Sequence, residues 1–103
     1  MERTREERMA IAKTIQRQLG GHRFVCMTGA RDLVALESGL QFSFPKAKQG
    51  INRVKVVLKP NDLYVMSFYK VRGCECVLRD MQVADAEDLQ RVFTAVTGLD
   101  THI

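Results

Sequence analysis

Tryptophan is absent from the 103-residue chain, proline occurs only twice and cysteine three times. No apolar run approaches the roughly 18 residues that a membrane span requires, and the charged residues 1–8 are unlike a signal peptide. Cys74 and Cys76 lie too close along an extended strand to bridge each other, and Cys26 makes the cysteine count odd. These absences predict reduced thiols, no association with a membrane and a cytoplasmic location.

Groups suited to catalysis are also scarce. His22 and His102 are the only histidines, and neither has a nucleophile and an orienting group at a recognisable spacing. The acidic residues near position 85 fit a helix start, and a glycine-rich phosphate loop of the Walker type is missing. The sequence therefore predicts a protein that is not an enzyme and that carries no cofactor.

The composition that is present is ordinary for a globular protein. Hydrophobic residues make up 46% of the chain and charged residues 27%, well away from the values of disordered segments. A chain of this length has room for one hydrophobic core. Residues 1–103 are therefore predicted to form a single domain.

Both ends of the chain carry helix signals. Thr4 and Glu7 form a capping box before an apolar stripe at helical spacing, and two glycines end the stripe, which predicts a helix over 5–19. Asp85 and Asp88 favour a second helix start, and Gly98 fits its C-terminal cap. The second helix is predicted over 86–97.

Between the helices the apolar residues recur with period two, and turn-forming residues interrupt them. Strands are predicted at 23–28, 33–37, 40–44, 52–59, 62–71 and 75–82. Their short connections imply an antiparallel arrangement. The expected fold is α+β, with an N-terminal helix, an antiparallel β-meander of four to six strands and a C-terminal helix in a two-layer sandwich. One sheet face would then be open to solvent.

Positive charge is concentrated in the middle of the chain. Residues 20–60 contain seven basic side chains against Asp32 and Glu37, whereas residues 84–103 contain four acidic side chains against Arg91 alone. Polar residues 45–50 are predicted to form a contact loop. The predicted contact cations are Lys46 and Lys48 in this loop and Arg53, Lys55 and Lys59 on or beside the next strand.

The strand at 62–71 can be oriented in two ways. Tyr64 and Phe68 share one face with Lys70 and Arg72. If that face lies open beside the Arg53 cations, aromatic rings among positive charges would suit stacked bases and phosphates or anchor a protein partner. In the alternative orientation, the two rings belong to the core beneath a helix.

Four soft ligands in the sequence could together hold a zinc ion. His22 and Cys26 are four residues apart, and Cys74 and Cys76 are two apart, so each pair could share a face of the predicted sheet. A Cys-x-Cys pair on a straight strand splays its sulfurs apart, unlike the usual Cys-x-x-Cys turn of zinc sites. Buried, unligated cysteines are the favoured alternative, and no metal is predicted.

Four segments of the chain together resemble small uncharacterised proteins of bacteriophages and mobile elements. These segments are Ile11–Ile15 leading to Gly20 and Gly21, Phe44–Lys48 with Gly50–Asn52, Asp62–Tyr64 with Lys70–Gly73, and Leu89 and Gln90 leading to Thr97–Leu99. The resemblance implies an accessory protein that acts on a host or viral macromolecule in the host cytoplasm. Inhibitors of bacterial immunity, such as anti-CRISPR proteins, belong to this class.

Two functions follow from these observations. The first is the binding of a protein or ribonucleoprotein target through the open sheet face and the 45–50 loop. The second is direct binding of nucleic acid through the same cations, which strong salt dependence would reveal. A homodimer formed through an edge strand or through an exposed sheet face is a further expectation.

Overall fold

The computed structural model describes residues 4–45, 47 and 50–99. In chain order the elements are α1 (Arg5–Leu19), α2 (Gly21–Thr28), β1 (Arg31–Leu36), β2 (Gly39–Ser43), β3 (Arg53–Leu58), β4 (Tyr64–Arg72), β5 (Glu75–Ala84), a 3₁₀ turn (Ala86–Asp88) and α3 (Leu89–Thr97). Each strand pairs antiparallel with its neighbour in sequence, in the order β1-β2-β3-β4-β5. The predicted α+β fold with an antiparallel meander and helices at both ends is confirmed.

The capping residues act as the sequence predicts. Thr4 Oγ1 accepts a hydrogen bond from the backbone N–H of Glu7 at 3.1 Å, and α1 runs over the predicted 5–19. Asp85 Oδ1 accepts from the N–H of Asp88 at 3.1 Å and starts the 3₁₀ turn that leads into α3. Gly98 ends α3 in the left-handed conformation, with φ of 76°.

The prediction of a strand at 23–28 is wrong, because these residues belong to the helix α2. Gly20 caps the end of α1, and the next helix begins directly at Gly21. The two glycines therefore mark a change of direction between two helices, and not the change from helix to strand that was predicted. The buried side chains of α2 are Phe24 and Thr28, which are one helical turn apart. The segment has no polar alternation, and this short apolar run suits either structure.

The helices and one face of the sheet enclose the core. Fully buried rings from α2, β2 and α3 meet there in edge-to-face contacts. The distance between ring centroids is 5.1 Å for Phe24 and Phe42 and 5.3 Å for Phe24 and Phe93. Central strands contribute Val54, Val56, Met66 and Phe68, all completely buried. Helical side chains are thus buried against one side of the sheet, which confirms the two-layer arrangement.

No helix in the part of the chain that the structure describes combines the length and the apolar character needed to cross a membrane.

The pairing of β2 with β3 requires a residue without a side chain at position 39. A Cβ atom at Gly39 would lie 2.0 Å from the carbonyl oxygen of Val56 on the neighbouring strand. Because that oxygen belongs to the backbone of a central strand, it cannot move without disturbing the ladder.

We therefore expect Gly39→Ala to lower the free energy of unfolding by about 2 kcal/mol or more. Gly73→Asn is the control, since Gly73 has a φ of +61° but no neighbouring atom within 4 Å of a Cβ, and asparagine tolerates this conformation. Its cost should be within about 0.5 kcal/mol. Urea unfolding measures both variants, and equal stability of Gly39→Ala and the wild type would contradict the close approach.

Tyr64 contributes a second measurable property of the core. Burial raises the pKa of its phenol above the ordinary value of 10.0, the Gln18 side chain opposes part of this shift, and the Asp62 carboxylate adds to it. The unfolded chain would therefore lose this proton at a lower pH than the folded chain.

Stability due to this group is complete below the unfolded pKa and declines as the pH rises from 10.0 towards the folded pKa. We expect Tyr64→Phe to have a shallower decline in unfolding free energy above this pH than the wild type. Urea unfolding across a pH series measures the difference, with Tyr69→Phe as the matched control on the other sheet face. Identical pH profiles for Tyr64→Phe and the wild type would contradict the shift.

Candidate functional site

The sheet face turned away from the helices, here called the open face, consists of rows of side chains that cross the strands. Strand register defines its members, because paired residues in an antiparallel sheet point to the same side. The apolar row is Leu36, Gly39, Val57, Val65 and Val83. The middle row is Val34, Gln41, Lys55, Ser67 and Met81. The third row, called the arginine row, is Arg31, Ser43, Arg53, Tyr69 and Leu78.

Large apolar side chains of the open face are in contact with solvent. The exposed fraction is 47% for Val34 on β1, and it is 48%, 53% and 61% for Leu78, Met81 and Val83 on β5. Single exposed apolar residues are normal on a soluble protein, but several on the two edge strands of one face, with the partly buried Leu36, Val57 and Val65 between them, are typical of an interaction surface. The open face therefore is the first candidate for binding.

The cations of the open face lie between these apolar groups. Lys55 occupies the centre of the middle row and Arg53 the centre of the arginine row, both half-buried. Arg53 Nε donates a hydrogen bond to Ser43 Oγ at 3.4 Å. None of the three rows contains an aspartate or glutamate. The open face thus combines apolar surface with positive charge.

Tyr64 and Phe68 point to the helices, so the orientation in which their rings lie exposed among cations is wrong. Their exposed fractions are 5% and 0%. Tyr64 is opposite Leu58, and Phe68 is opposite the completely buried Val54, which fixes both rings on the covered side. The alternative core placement is the one observed, and the rings are inaccessible as anchors for a partner.

Three other predicted contact cations lie away from the open face. Lys59 is exposed in the turn between β3 and β4, where its N–H donates to the carbonyl of Leu63 at 2.8 Å. Lys70 and Arg72 lie on the β4–β5 hairpin and alternate with the open-face residues. Together with Glu75, Val77 and Arg79 they line a small cleft. The predicted contact cations that the structure describes therefore do not form one continuous surface.

Asn52, which lies just after the predicted 45–50 contact loop, is held by its side chain. Asn52 Nδ2 donates to the carbonyl of Val71 and Asn52 Oδ1 accepts from the N–H of Val71, both at 2.8 Å. The backbone N–H of Asn52 also donates to the carbonyl of Tyr69 at 3.0 Å. The amide thus continues the ladder of β3 and β4 beyond the last paired residue. Lys46 and Lys48 themselves lie outside the described residues.

His22 and Cys26 come together, but for a different reason from the one predicted. They are four residues apart on the helix α2, and Cys26 Sγ lies 3.4 Å from His22 Nε2 at the surface. Cys74 and Cys76 lie in and after the β4–β5 turn. Within residues 4–45, 47 and 50–99 no three potential metal ligands converge, so the four-ligand combination is not formed. All three cysteines are exposed, which contradicts the expectation that they are buried.

The exposed apolar residues of β5 are the functional candidates that sequence reasoning missed. A signal for them exists in the sequence, because apolar residues alternate at Cys76 and Leu78 and again at Met81 and Val83, with the phase shifted by one. The structure has a register irregularity of β5 at this point. A shifted phase between two alternating segments is the pattern of a β-bulge.

We expect Asn52→Ala to lower the free energy of unfolding by about 1–3 kcal/mol, because it leaves two backbone groups of Val71 without their partner. Asn61→Ala is the matched control, since Asn61 accepts one exposed hydrogen bond, from the N–H of Leu63 at 3.2 Å. Its cost should be about 0.5 kcal/mol or less. Hydrogen exchange of the Val71 amide should accelerate in Asn52→Ala alone, and unchanged exchange would contradict this role.

Comparison of the chain with protein-family models, with curated protein sequences and with solved structures finds no match.

Proposed function

We propose that this chain is a non-enzymatic accessory protein that binds another protein through its open face. The observation that carries the proposal is the apolar row, to which every strand except β2 contributes a side chain, with cations beside it and no acidic side chain among the fifteen positions of the three rows. A complementary partner would present an apolar surface bordered by aspartate or glutamate side chains. Apolar burial would supply affinity, and the charges would fix orientation.

Nucleic acid is the second candidate, and the burial of two rings counts against it. Single-stranded bases stack on exposed aromatic rings. Tyr69 is the one aromatic residue in the three rows, since Tyr64 and Phe68 are in the core. Cations Arg31, Arg53 and Lys55 favour phosphate binding, but aliphatic neighbours such as Val83 and Met81 favour a protein surface.

The resemblance to phage proteins adds a narrower proposal about the target. A small accessory protein of a phage would act on a host or viral protein or ribonucleoprotein, and a component of bacterial immunity is one such target. This anti-CRISPR-like role rests on the resemblance, whereas the apolar and cationic surface supports only the general binding function.

Paired variants test the binding function. Tagged protein would capture partners from a nuclease-treated bacterial lysate, and captured proteins would be measured for each variant. We expect Lys55→Glu to weaken capture by about tenfold or more, because it places a carboxylate opposite the acidic border of the partner. Lys13→Glu makes the same charge change on the exposed side of α1 and should alter capture by less than about twofold.

A second pair separates the apolar contribution from the charge. Val34→Ser changes the open face without adding charge, and Met27→Ser changes α2 at a position of similar exposure, 47% against 41%. Only the first should reduce capture. Equal capture by Lys55→Glu and Lys13→Glu would contradict the proposal.

Loss of all capture after nuclease digestion would favour nucleic acid instead. In that case we would measure the association constant for a single-stranded oligonucleotide at several salt concentrations. Its logarithm should fall with the logarithm of the salt concentration with a slope of about −2, as expected for three phosphate contacts.

A further inference from the structure

The strand β5 forms one edge of the sheet and is its longest and most exposed strand. It spans ten residues, Glu75–Ala84, of which only Asp80 and Ala84 are not exposed. It pairs with β4 on one side. Its other side has no partner strand in the described part of the chain. An edge of this length with apolar side chains is a template for pairing with another strand.

A bulge divides β5 into two halves whose alternation is out of phase. Met81 and Val83 belong to the open face in one half, and Leu78 and Cys76 belong to it in the other. Between them Asp80 is opposite Phe68, on the covered side. Arg79 is the extra residue, and it lines the cleft on the same side as Lys70 and Arg72. Two successive side chains therefore point to one side at the centre of the strand.

We propose that β5 pairs antiparallel with β5 of a second copy of this chain, about a two-fold axis between Arg79 and Asp80. With this axis perpendicular to the sheet, the open faces of the two copies lie on the same side of the joined sheet. In a regular strand, such an axis must pass through a residue, which is then opposite the same residue of the second copy. In β5 the alternation of side chains shifts by one at Arg79. An axis through one residue would therefore pair open-face side chains with covered-side ones along part of the strand, whereas an axis between Arg79 and Asp80 pairs side chains of the same face along all ten residues.

This register makes the edge self-complementary. Leu78 is opposite Met81 of the second copy and Cys76 is opposite Val83 of the second copy, all on the open face, and each pair occurs twice. At the centre, Arg79 is opposite Asp80 of the second copy on the other side of the sheet, so two pairs of opposite charge flank the axis.

Within one chain, the two central charges are not paired with each other. Asp80 Oδ1 accepts from the N–H of Met81 at 2.8 Å and from Gln82 Nε2 at 3.1 Å. In the dimer the Met81 N–H would exchange this partner for the carbonyl of Leu78 of the second copy, which frees the carboxylate to face Arg79 of the second copy. Arg79 forms no ion pair with any of the described residues. The charge complementarity points to a second copy as the occupant of this edge. The dimer does not depend on the proposed binding function, because it uses the backbone edge of β5 and leaves the open face accessible.

Disulfide trapping tests the register. In a background with Cys26→Ser and Cys74→Ser, Val83→Cys places a thiol opposite the native Cys76 of the second copy, within the Cα separation of a disulfide. We expect mild oxidation to give a covalent dimer that reductant separates. The matched control is Gln82→Cys in the same background, whose thiol is adjacent in sequence but on the other sheet face. Adding Cys76→Ser to Val83→Cys should abolish this dimer.

Charge exchange tests the centre without a new cysteine. Sedimentation of the unaltered chain gives its dimer dissociation constant. Arg79→Asp places two carboxylates opposite each other and should raise this constant by about tenfold or more, whereas the double variant Arg79→Asp/Asp80→Arg should restore it to within about threefold. Circular dichroism confirms that each variant is folded.

Three results would overturn the proposal. One is a monomer for the unaltered chain at high micromolar concentration, as expected if the bulge and its charges protect the edge from pairing. Another is trapping of Gln82→Cys as rapidly as Val83→Cys. The third is a dimer that Arg79→Asp does not weaken.

Discussion

The burial of one sheet face beneath the three helices is the constraint on which the remaining structure depends. Phe42, Val54 and Phe68 are completely buried against helical side chains such as Phe24 and Phe93. Because side chains alternate along a strand, each buried residue fixes its neighbours on the opposite face. A shift of β3 by one residue against its neighbours would expose Val54 and Val56 and bury Lys55. The composition of the open face is therefore a direct consequence of core packing.

Much of the fold could be predicted from the sequence because local signals agreed with the final packing. The Thr4 cap and the stripe of Ile15 and Leu19 specify α1, and glycine and proline mark most turns within one or two residues. The prediction of a strand at 23–28 failed because these residues carry no alternation that separates a short helix from a short strand. Gly20 and Gly21 suit a sharp change of direction between two helices as well as a helix end.

The candidate site was less predictable, since it depends on which face of each strand the helices cover. Periodicity placed Arg53 and Lys55 on the solvent side of their strand, but it could not say whether the face that Tyr64 and Phe68 share on the next strand would be buried. That choice was made by the contacts of α1 with β1 and β2 and by the contact of Phe93 on α3 with Phe42, which join residues far apart in sequence. The apolar positions of β5 could not be assigned to a face without the bulge, which reverses the alternation between Leu78 and Met81.

Connectivity between neighbouring strands has a consequence for the order of folding. Each strand pairs with the next along the chain, so the entropy lost in closing each loop is small, and the hairpins can form early. Contacts between the two ends, such as the hydrogen bond from Gln90 Nε2 to the carbonyl of Leu19 across a sequence separation of 71, would form late. A chain with its meander formed and its helices undocked would expose both sides of the sheet, and it would be most prone to aggregate at that stage.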